Sequence, residues 1–176
     1  MFNMKKLLIV VDYQKDFVDG SLGFAGAEKL DKIIAAKVKA YQKAGNDVVV
    51  TLDTHGSDYL MTQEGTNLPT PHCLRNSEGW RVYGKTGQVV EDCRAFEKPG
   101  FGSLGLLSYL CEHRYGQIEL CGLVSNICVL TNAVLAKTAQ PEAEIIVDSH
   151  ATASFDSNLH EQAMNVLAGL QVTVLR

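Results

Sequence analysis

Short, continuous apolar runs alternate along this chain with longer segments of helical periodicity. The first run, residues 7–11, has no polar position on either side of the pleat, which is typical of a strand buried on both faces of a parallel sheet. From residue 27 to residue 44 the apolar residues recur at helical spacing, and Gly45 ends the helix. Residues 47–52 form a second, valine-rich strand pattern. The alternation continues with strands predicted at 89–96, 118–123, 144–147 and 171–175 and helices predicted at 104–115, 126–138 and 156–168.

This order of elements predicts a three-layer α/β/α fold. Strands that are separated by helices pair in parallel and need helices on both faces of the sheet. We therefore expect a single α/β, Rossmann-like domain with a mainly parallel six-stranded sheet, formed by residues 1–176. The length of 176 residues and the hydrophobic content of 46% are sufficient for one sizeable core.

Composition and charge argue against several functional classes. The net charge is −4 and the lysines and arginines form no basic stripe, so we expect no nucleic-acid partner. Because no segment is long and apolar enough to span a bilayer, we expect no membrane association. The five cysteines, an odd number without CxxC spacing, indicate a reducing compartment, and we expect a cytoplasmic protein.

Reactive side chains follow four of the predicted strands. Asp12 follows the first strand, Asp53 and His55 follow the second, Lys98 follows the third, and Cys128 lies in the turn after the fourth. In open parallel sheets, ligands bind beyond the carboxyl ends of the strands. We therefore expect these five side chains to lie at one edge of the sheet and to form a functional site.

Cys128 lies where a strand passes into a helix. Unpaired N–H groups at a helix N-terminus stabilise a thiolate and can bind an oxyanion, so we predict a lowered pKa for this thiol. Asp12 would remove the thiol proton as a general base, and the Lys98 ammonium would tune both pKa values. Each residue also has a plainer interpretation: Cys128 as a small core residue, Asp12 as a backbone cap and Lys98 as a surface lysine.

A second group of residues has the composition of a metal site. Asp53 and His55 are two residues apart at a strand end, so both side chains can point the same way. His72 follows within residues 53–88, an irregular stretch long enough to suggest a functional loop. An aspartate and two histidines suit a divalent metal, most simply zinc, and Glu64 could add an oxygen ligand. The alternative is that both histidines are ordinary polar loop residues.

Five sequence fragments together resemble the isochorismatase-like cysteine hydrolases, and within them the nicotinamidase-type amidases. The fragments are residues 11–17 (VDYQKDF), 53–55 (DTH), 71–73 (PHC), 98–103 (KPGFGS) and 122–129 (GLVSNICV). Each fragment is weak alone, but five in the same order make a strong signal that covers nearly the whole chain. Cys128 argues against isochorismate hydrolysis itself, because that branch of the family lacks the nucleophile.

The resemblance implies a complete active site. It assigns roles to the residues already singled out, with Asp12, Lys98 and Cys128 as the catalytic triad and Asp53, His55, His72 and Glu64 as metal ligands. It also implies a cis peptide bond between Leu123 and Val124, an oxyanion hole formed by the N–H groups of Val124 and Cys128, and substrate contacts from Phe17 and Leu123. The implied reaction is hydrolysis of a small amide to an acid and ammonia through a thioester, most simply nicotinamide to nicotinate. Members of the family commonly self-associate, so a homo-oligomer is expected.

One position departs from the family pattern. Nicotinamidases usually carry an aromatic residue three positions before the second metal histidine, where this chain has Pro69, preceded by Leu68. Tyr13 or Trp80 could replace that wall, or the substrate could be another small amide. Two other functions stay open: a metal-independent hydrolase of ureido or carbamoyl compounds on the same fold, and a non-catalytic domain that uses Cys128 as a thiol sensor.

Overall fold

The computed structural model describes residues 4–176, which form one parallel six-stranded sheet; residues 1–3 of the predicted domain lie outside the described residues. The strands are β1 (Lys6–Val11), β2 (Asp47–Asp53), β3 (Arg94–Lys98), β4 (Gln117–Leu123), β5 (Glu144–Ala153) and β6 (Thr173–Leu175). The helices are α1 (Lys15–Val18), α2 (Leu30–Lys43), α3 (Gln63–Asn67), α4 (Gly84–Val89), α5 (Leu104–Glu112), α6 (Leu130–Ala139) and α7 (Ser157–Gly169). The strand order β3-β2-β1-β4-β5-β6 confirms the α/β, Rossmann-like prediction, with a fully parallel sheet.

β1 lies at the centre of the sheet, which explains its continuous apolar sequence. Leu7, Ile9 and Val11 belong to one hydrophobic core, to which α5, α6 and α7 contribute. Leu8 and Val10 point to the other face and belong to a second core, to which α2 contributes. Because successive side chains of a strand point to opposite faces, a strand covered on both sides must be apolar throughout.

The predicted helices are present, with shifts of a few residues at their ends. The helix predicted from residue 27 consists of a 3₁₀ turn, Ala27–Lys29, followed by α2. The helix predicted at 126–138 begins with a π-helical turn, Ser125–Val129, that leads into α6. The irregular stretch at 53–88 is less irregular than expected, because it contains α3 and the start of α4.

The strand predicted at 89–96 is wrong in its bounds. Val89 ends α4, and β3 begins at Arg94. Val90, which contributed to the strand pattern, is buried in the second core from the end of that helix. β3 is an edge strand in which only Phe96 and Lys98 are buried, so it has little apolar signal of its own.

β5 is longer than the strand predicted at 144–147, and this changes the position of Asp148. Asp148 lies inside β5, whereas a strand that ended at residue 147 would leave it at the carboxyl edge of the sheet. Its carboxylate is 2.7 Å from the Lys37 ammonium of α2, which is also 2.7 Å from the Glu119 carboxylate of β4. This ion-pair network connects α2 to the sheet, away from the carboxyl ends of the strands.

Two features of the described residues concern membrane-spanning helices and disulfide bonds. Among residues 4–176, no helix combines the length and the apolar character needed to cross a bilayer. The five cysteines are all free thiols: Cys73, Cys121 and Cys128 are buried, Cys93 is half-buried and Cys111 is exposed.

Candidate active site

The carboxyl ends of β1, β2, β3 and β4 meet at one edge of the sheet and carry the predicted reactive side chains. Asp12 follows β1, Asp53 and Lys98 are the last residues of β2 and β3, and Cys128 lies in the turn after β4. Asp12 has a φ angle of 44°, a left-handed conformation that is uncommon for a residue other than glycine. The strand order reverses between β1 and β4, which is where ligands bind in sheets of this type.

Asp12, Lys98 and Cys128 form one buried cluster. Lys98 Nζ lies 2.7 Å from Asp12 Oδ2 and 3.5 Å from Cys128 Sγ. The same ammonium donates a 2.8 Å hydrogen bond to the carbonyl of Gly100, and the Thr51 hydroxyl donates a 2.6 Å hydrogen bond to Asp12 Oδ1. Because Asp12 and Lys98 are buried, bulk water does not screen their ion pair.

Burial controls the protonation of this cluster. It raises the pKa of the Asp12 carboxyl, against the lowering effect of Lys98. Burial and the charge of Asp12 also raise the pKa of the Cys128 thiol well above its usual value, although Lys98 lowers it. The predicted lowering of the thiol pKa is therefore wrong, because a helix N-terminus does not outweigh desolvation and an adjacent carboxylate. Such a thiol keeps its proton until a base removes it.

Cys128 is presented by the π-helical turn, Ser125–Val129, between β4 and α6. Turns of this kind are rare and frequently lie at functional sites. The carbonyl of Val124 accepts hydrogen bonds from the N–H groups of Ile127 and Val129, each at 3.2 Å. The peptide bond between Leu123 and Val124 is cis, as the family resemblance implied.

Glycine is required immediately before this turn. Gly122 has a φ angle of 112°, in a region of backbone conformation that residues other than glycine rarely adopt. A Cβ atom at this position would also overlap the backbone of Val11 in the neighbouring strand β1. The close approach of β1 and β4 brings the residue after β1, Asp12, near the turn that carries Cys128.

The four predicted metal ligands converge on one point. The ligand atoms of Asp53, His55, Glu64 and His72 all lie within 4.8 Å of one another. Asp53 Oδ2 is 3.0 Å from His55 Nε2 and 3.2 Å from His72 Nε2. Glu64 Oε1 is 3.8 Å from His55 Nε2 and 3.7 Å from His72 Nε2. Two imidazoles and two carboxylates are donors that suit zinc and other divalent transition metals.

The surroundings of these side chains also fit a cation. His72 Nδ1 lies 2.9 Å from the carbonyl of Thr70, an outer hydrogen bond of the kind that orients metal-binding histidines. Burial and the charge of Asp53 raise the pKa of the Glu64 carboxyl. A divalent cation between the two carboxylates would relieve that repulsion, so the residues present fit a metal.

Two further polar residues, which were not predicted from the sequence, position the candidate metal ligands. Gln14 is buried and clamps the backbone of Asp53: its side-chain oxygen accepts the Asp53 N–H at 2.8 Å, and its amide donates to the Asp53 carbonyl at 2.9 Å. Asp16 accepts a 2.7 Å hydrogen bond from the N–H of Cys73, the residue after His72. Both residues are distant in sequence from their partners, so only their place in the fragment 11–17 could have pointed to them.

Asn132 connects residues 99–103, called the lysine loop because they follow Lys98, to the turn that carries Cys128. Its role was not predicted from the sequence. Its amide donates to the carbonyl of Cys128 at 2.8 Å and to the carbonyl of Phe101 at 3.1 Å, and its oxygen accepts the N–H of Ser103 at 3.0 Å. Asn132 is completely buried and lies one helical turn after Cys128. A polar residue one helical turn after Cys128, beside the apolar residues Ala133 and Ala136 that α6 buries, was the available signal.

A cavity of about 580 Å³ opens above Cys128. It is lined by Phe17, Ser21, Leu22, Gly23, Asp53, Glu64, Leu68, His72, Phe101, Val124, Ile127, Cys128 and Phe155. Phe17 lies on the wall, as the resemblance implied, and its ring centroid is 5.5 Å from that of His72. Val124 and Cys128 also line the cavity, which is the position that an oxyanion hole requires.

Three residues considered for the pocket lie elsewhere. The side chain of Leu123 is completely buried in the second core, so the predicted substrate contact from this side chain is not supported. Tyr13 is buried and donates to the carbonyl of Ala27, and the Trp80 indole donates to the Thr54 hydroxyl. Neither aromatic ring lines the cavity. Phe155 does line it, and this was not predicted from the sequence.

Comparison with known proteins agrees with this architecture. The isochorismatase domain family matches residues 6–176. A curated Bacillus subtilis (strain 168) protein, described as uncharacterized isochorismatase family protein PncA, is 32% identical over 178 residues, which cover 94% of this chain and 95% of the relative. The crystal structure of nicotinamidase/pyrazinamidase PncA from Bacillus subtilis has a TM-score of 0.87 and 28% identity, covering 98% of this chain and 100% of that chain.

A further solved structure is similar at the level of the fold alone. It is the pyrazinamidase of Pyrococcus horikoshii in complex with zinc, with a TM-score of 0.85, 21% identity, and coverage of 98% of this chain and 99% of that chain. The family assignment depends on the domain match and on the curated relative. Since the matched domain extends over almost all of the described residues, the chain belongs to the isochorismatase family.

Proposed function

We propose that this protein is a metal-containing cysteine amidohydrolase that converts nicotinamide to nicotinate and ammonia. The observation that carries the proposal is the buried cluster of Asp12, Lys98 and Cys128, in which the ammonium contacts both the carboxylate and the sulfur, at 2.7 and 3.5 Å. The similar Bacillus subtilis structure is that of a nicotinamidase/pyrazinamidase, which supports this choice of substrate.

In the first step the sulfur of Cys128 attacks the amide carbonyl carbon. Asp12 takes the thiol proton as the carbon–sulfur bond forms, because burial and the charge of Asp12 raise the pKa of the thiol and favour its protonated form. Lys98 stays charged: burial lowers its pKa, but the negative charges around it, Asp12 foremost, raise the pKa by more. It therefore stabilises the negative charge that the Asp12 carboxylate carries before the proton transfer and the charge that develops on the sulfur during it.

The negative charge on the carbonyl oxygen would be stabilised by the N–H groups of Val124 and Cys128. Donors of this kind, fixed in place before the reaction, contribute about 3–4 kcal/mol of transition-state stabilisation in comparable enzymes. Protonated Asp12 then gives its proton to the amide nitrogen, the carbon–nitrogen bond breaks, and ammonia leaves a thioester on Cys128. Water attacks the thioester with Asp12 as the base, and the acid and the free thiol are released.

Asp53, His55, His72 and Glu64 would hold the metal, most simply zinc. When bound, a divalent metal supplies Lewis-acid chemistry to an oxygen or nitrogen donor in the cavity. Gln14 and Asp16 fix the backbone of the ligand segments, while Phe17 packs on the ring of His72 and forms a wall for the substrate.

Release of ammonia from nicotinamide by the purified protein tests this function. We expect Cys128→Ala to abolish release, because the nucleophile is lost, and Asp12→Asn to reduce it by at least about 10²-fold, because the base is lost. Cys111→Ala is the matched control, since Cys111 is an exposed cysteine remote from the cluster. Ammonia release by Cys128→Ala at the wild-type rate would refute the mechanism.

The two alternative functions are less well supported. A ureido or carbamoyl acid would need a cation for its carboxylate, and no lysine or arginine lines the cavity among the residues that the structure describes. A thiol sensor would need a reactive thiolate, whereas burial and Asp12 raise the pKa of the Cys128 thiol. Activity that survives complete metal removal would favour the ureido hydrolase. Thiol labelling of Cys128 at ordinary reactivity, without turnover of any amide, would favour the sensor.

We also infer the setting in which the enzyme works. One sheet that takes strands from residue 6 to residue 175 supports a single domain. Five free thiols support a reducing, cytoplasmic environment. Self-association stays a proposal by analogy with relatives, and sedimentation analysis of the purified chain tests it.

A further inference from the structure

The cavity above Cys128 is larger than a single-ring amide requires. Its volume is about 580 Å³, within the range of about 300–1,000 Å³ that holds drug-sized ligands. Nicotinamide, one six-membered ring with a carboxamide, would occupy only the part next to the nucleophile. The rest of the cavity, called the outer compartment below, is lined by residues that determine what else the substrate carries.

Three side chains from different loops form the outer wall of this compartment. Leu68 follows α3, Phe101 lies between β3 and α5, and Phe155 lies between β5 and α7. They are 38%, 50% and 64% exposed, although all three belong to the cavity lining. Exposed apolar groups that converge on one cavity are typical of a binding surface, since covering them with a ligand is favourable in proportion to the area buried.

The charged groups of the cavity are confined to its inner end. Asp53, Glu64 and His72 belong to the metal cluster, and Cys128 is the nucleophile. Within residues 4–176 no lysine or arginine lines the cavity, so away from the candidate metal site no side chain would pair with a phosphate or a carboxylate on the substrate. The outer wall therefore favours an uncharged, apolar group.

We propose that the preferred substrate is an uncharged aromatic amide with an apolar substituent that packs against Leu68, Phe101 and Phe155. This inference rests on the proposed amidohydrolase function and specifies its substrate class.

The test compares kcat/KM for nicotinamide with that for nicotinamides carrying a methyl, ethyl or carboxymethyl group at ring position 5 or 6. At the position that faces the outer wall, we expect each added carbon to raise kcat/KM by about 10-fold, and the charged carboxymethyl group to lower it below that of nicotinamide. Phe155→Ala should reduce the ethyl-to-nicotinamide ratio by about 10-fold, and Phe155→Leu should restore part of it. Val166→Ala is the control, because Val166 is an exposed apolar residue of α7 outside the cavity.

The outcomes separate this inference from the function on which it rests. Hydrolysis of nicotinamide with no gain from any alkyl group would overturn the substrate class and leave the amidohydrolase intact. Absence of ammonia release from every amide would overturn both. If Phe155→Asp instead dissociates an oligomer and leaves the substrate ratios unchanged, the apolar wall is an interface between copies and the inference is wrong.

Discussion

Replacing Asn132 with leucine isolates the contribution of one buried hydrogen-bonding side chain to catalysis. Leucine has nearly the same size and can fill the same space between α6 and the lysine loop. It removes the acceptor for the Ser103 N–H and the donor to the carbonyls of Cys128 and Phe101. The loop that carries Lys98 and the turn that carries Cys128 are then no longer connected by this side chain.

The size of the effect follows from which groups lose a partner. Ser103 is completely buried, so its N–H loses its acceptor without access to water, at a cost of about 1–3 kcal/mol. Phe101 is exposed, and its carbonyl can accept from water instead. We therefore expect a decrease of about 1–3 kcal/mol in the free energy of unfolding, or about 2–12 °C in Tm for a chain of this length.

Activity should fall by more than this loss of stability would suggest. A displacement of about 1 Å between reacting groups reduces rates by about 10²-fold, so we expect kcat for ammonia release to fall by about that factor. Urea denaturation and steady-state ammonia release measure the two effects. Asn165→Leu is the matched control, because Asn165 is an exposed residue whose side chain accepts a hydrogen bond from Arg176. Wild-type stability and wild-type kcat in Asn132→Leu would refute the reasoning.

Three further predictions concern the backbone, the metal and the ion-pair network. Gly122→Ala should lower the free energy of unfolding by at least about 1–3 kcal/mol, because φ is 112° there, whereas Gly169→Ala, with open space around its Cβ, should be neutral or stabilising in the same urea titration. His72→Ala should reduce the zinc bound per chain, measured by mass spectrometry after dialysis, and abolish any zinc-dependent rise in Tm; unchanged zinc content would exclude the proposed site. Burial raises the pKa of Asp148, but the hydrogen bond from Lys37 outweighs this effect, so the pKa is lowered on folding. Its contribution is thus present above the unfolded value of about 3.9 and is lost as pH falls through the folded value. The Tm gap between wild type and Asp148→Asn should therefore be constant above about pH 5 and close as pH falls below about 4; a gap that persists at the lowest pH would contradict this.

The residues at strand ends were predictable because parallel sheets impose one rule. Once 7–11 and 118–123 were identified as buried strands, Asp12 and Cys128 had to lie at the same edge of the sheet. Two of the candidate metal ligands were predictable for a related reason, since Asp53 and His55 leave a strand two residues apart. These inferences need only the local pattern and the general geometry of α/β folds.

Other features depended on contacts between distant segments. Asp148 lies inside β5 because this strand continues beyond residue 147, where the predicted strand ends. The roles of Gln14 and Asn132 come from hydrogen bonds to backbone groups 39 and 29 residues away along the chain, which no local pattern encodes. The raised pKa of the Cys128 thiol depends on how deeply it is buried and on which charge lies beside it.

The amino-acid sequence alone determined the order of strands and helices and the set of side chains at the carboxyl edge, because side-chain periodicity and strand polarity are local properties of the chain. Only the tertiary structure decided the protonation of the nucleophile, the convergence of four metal-binding side chains, and the apolar character of the outer cavity. Those properties depend on distances and solvent exposure, which arise when segments far apart in the sequence pack together.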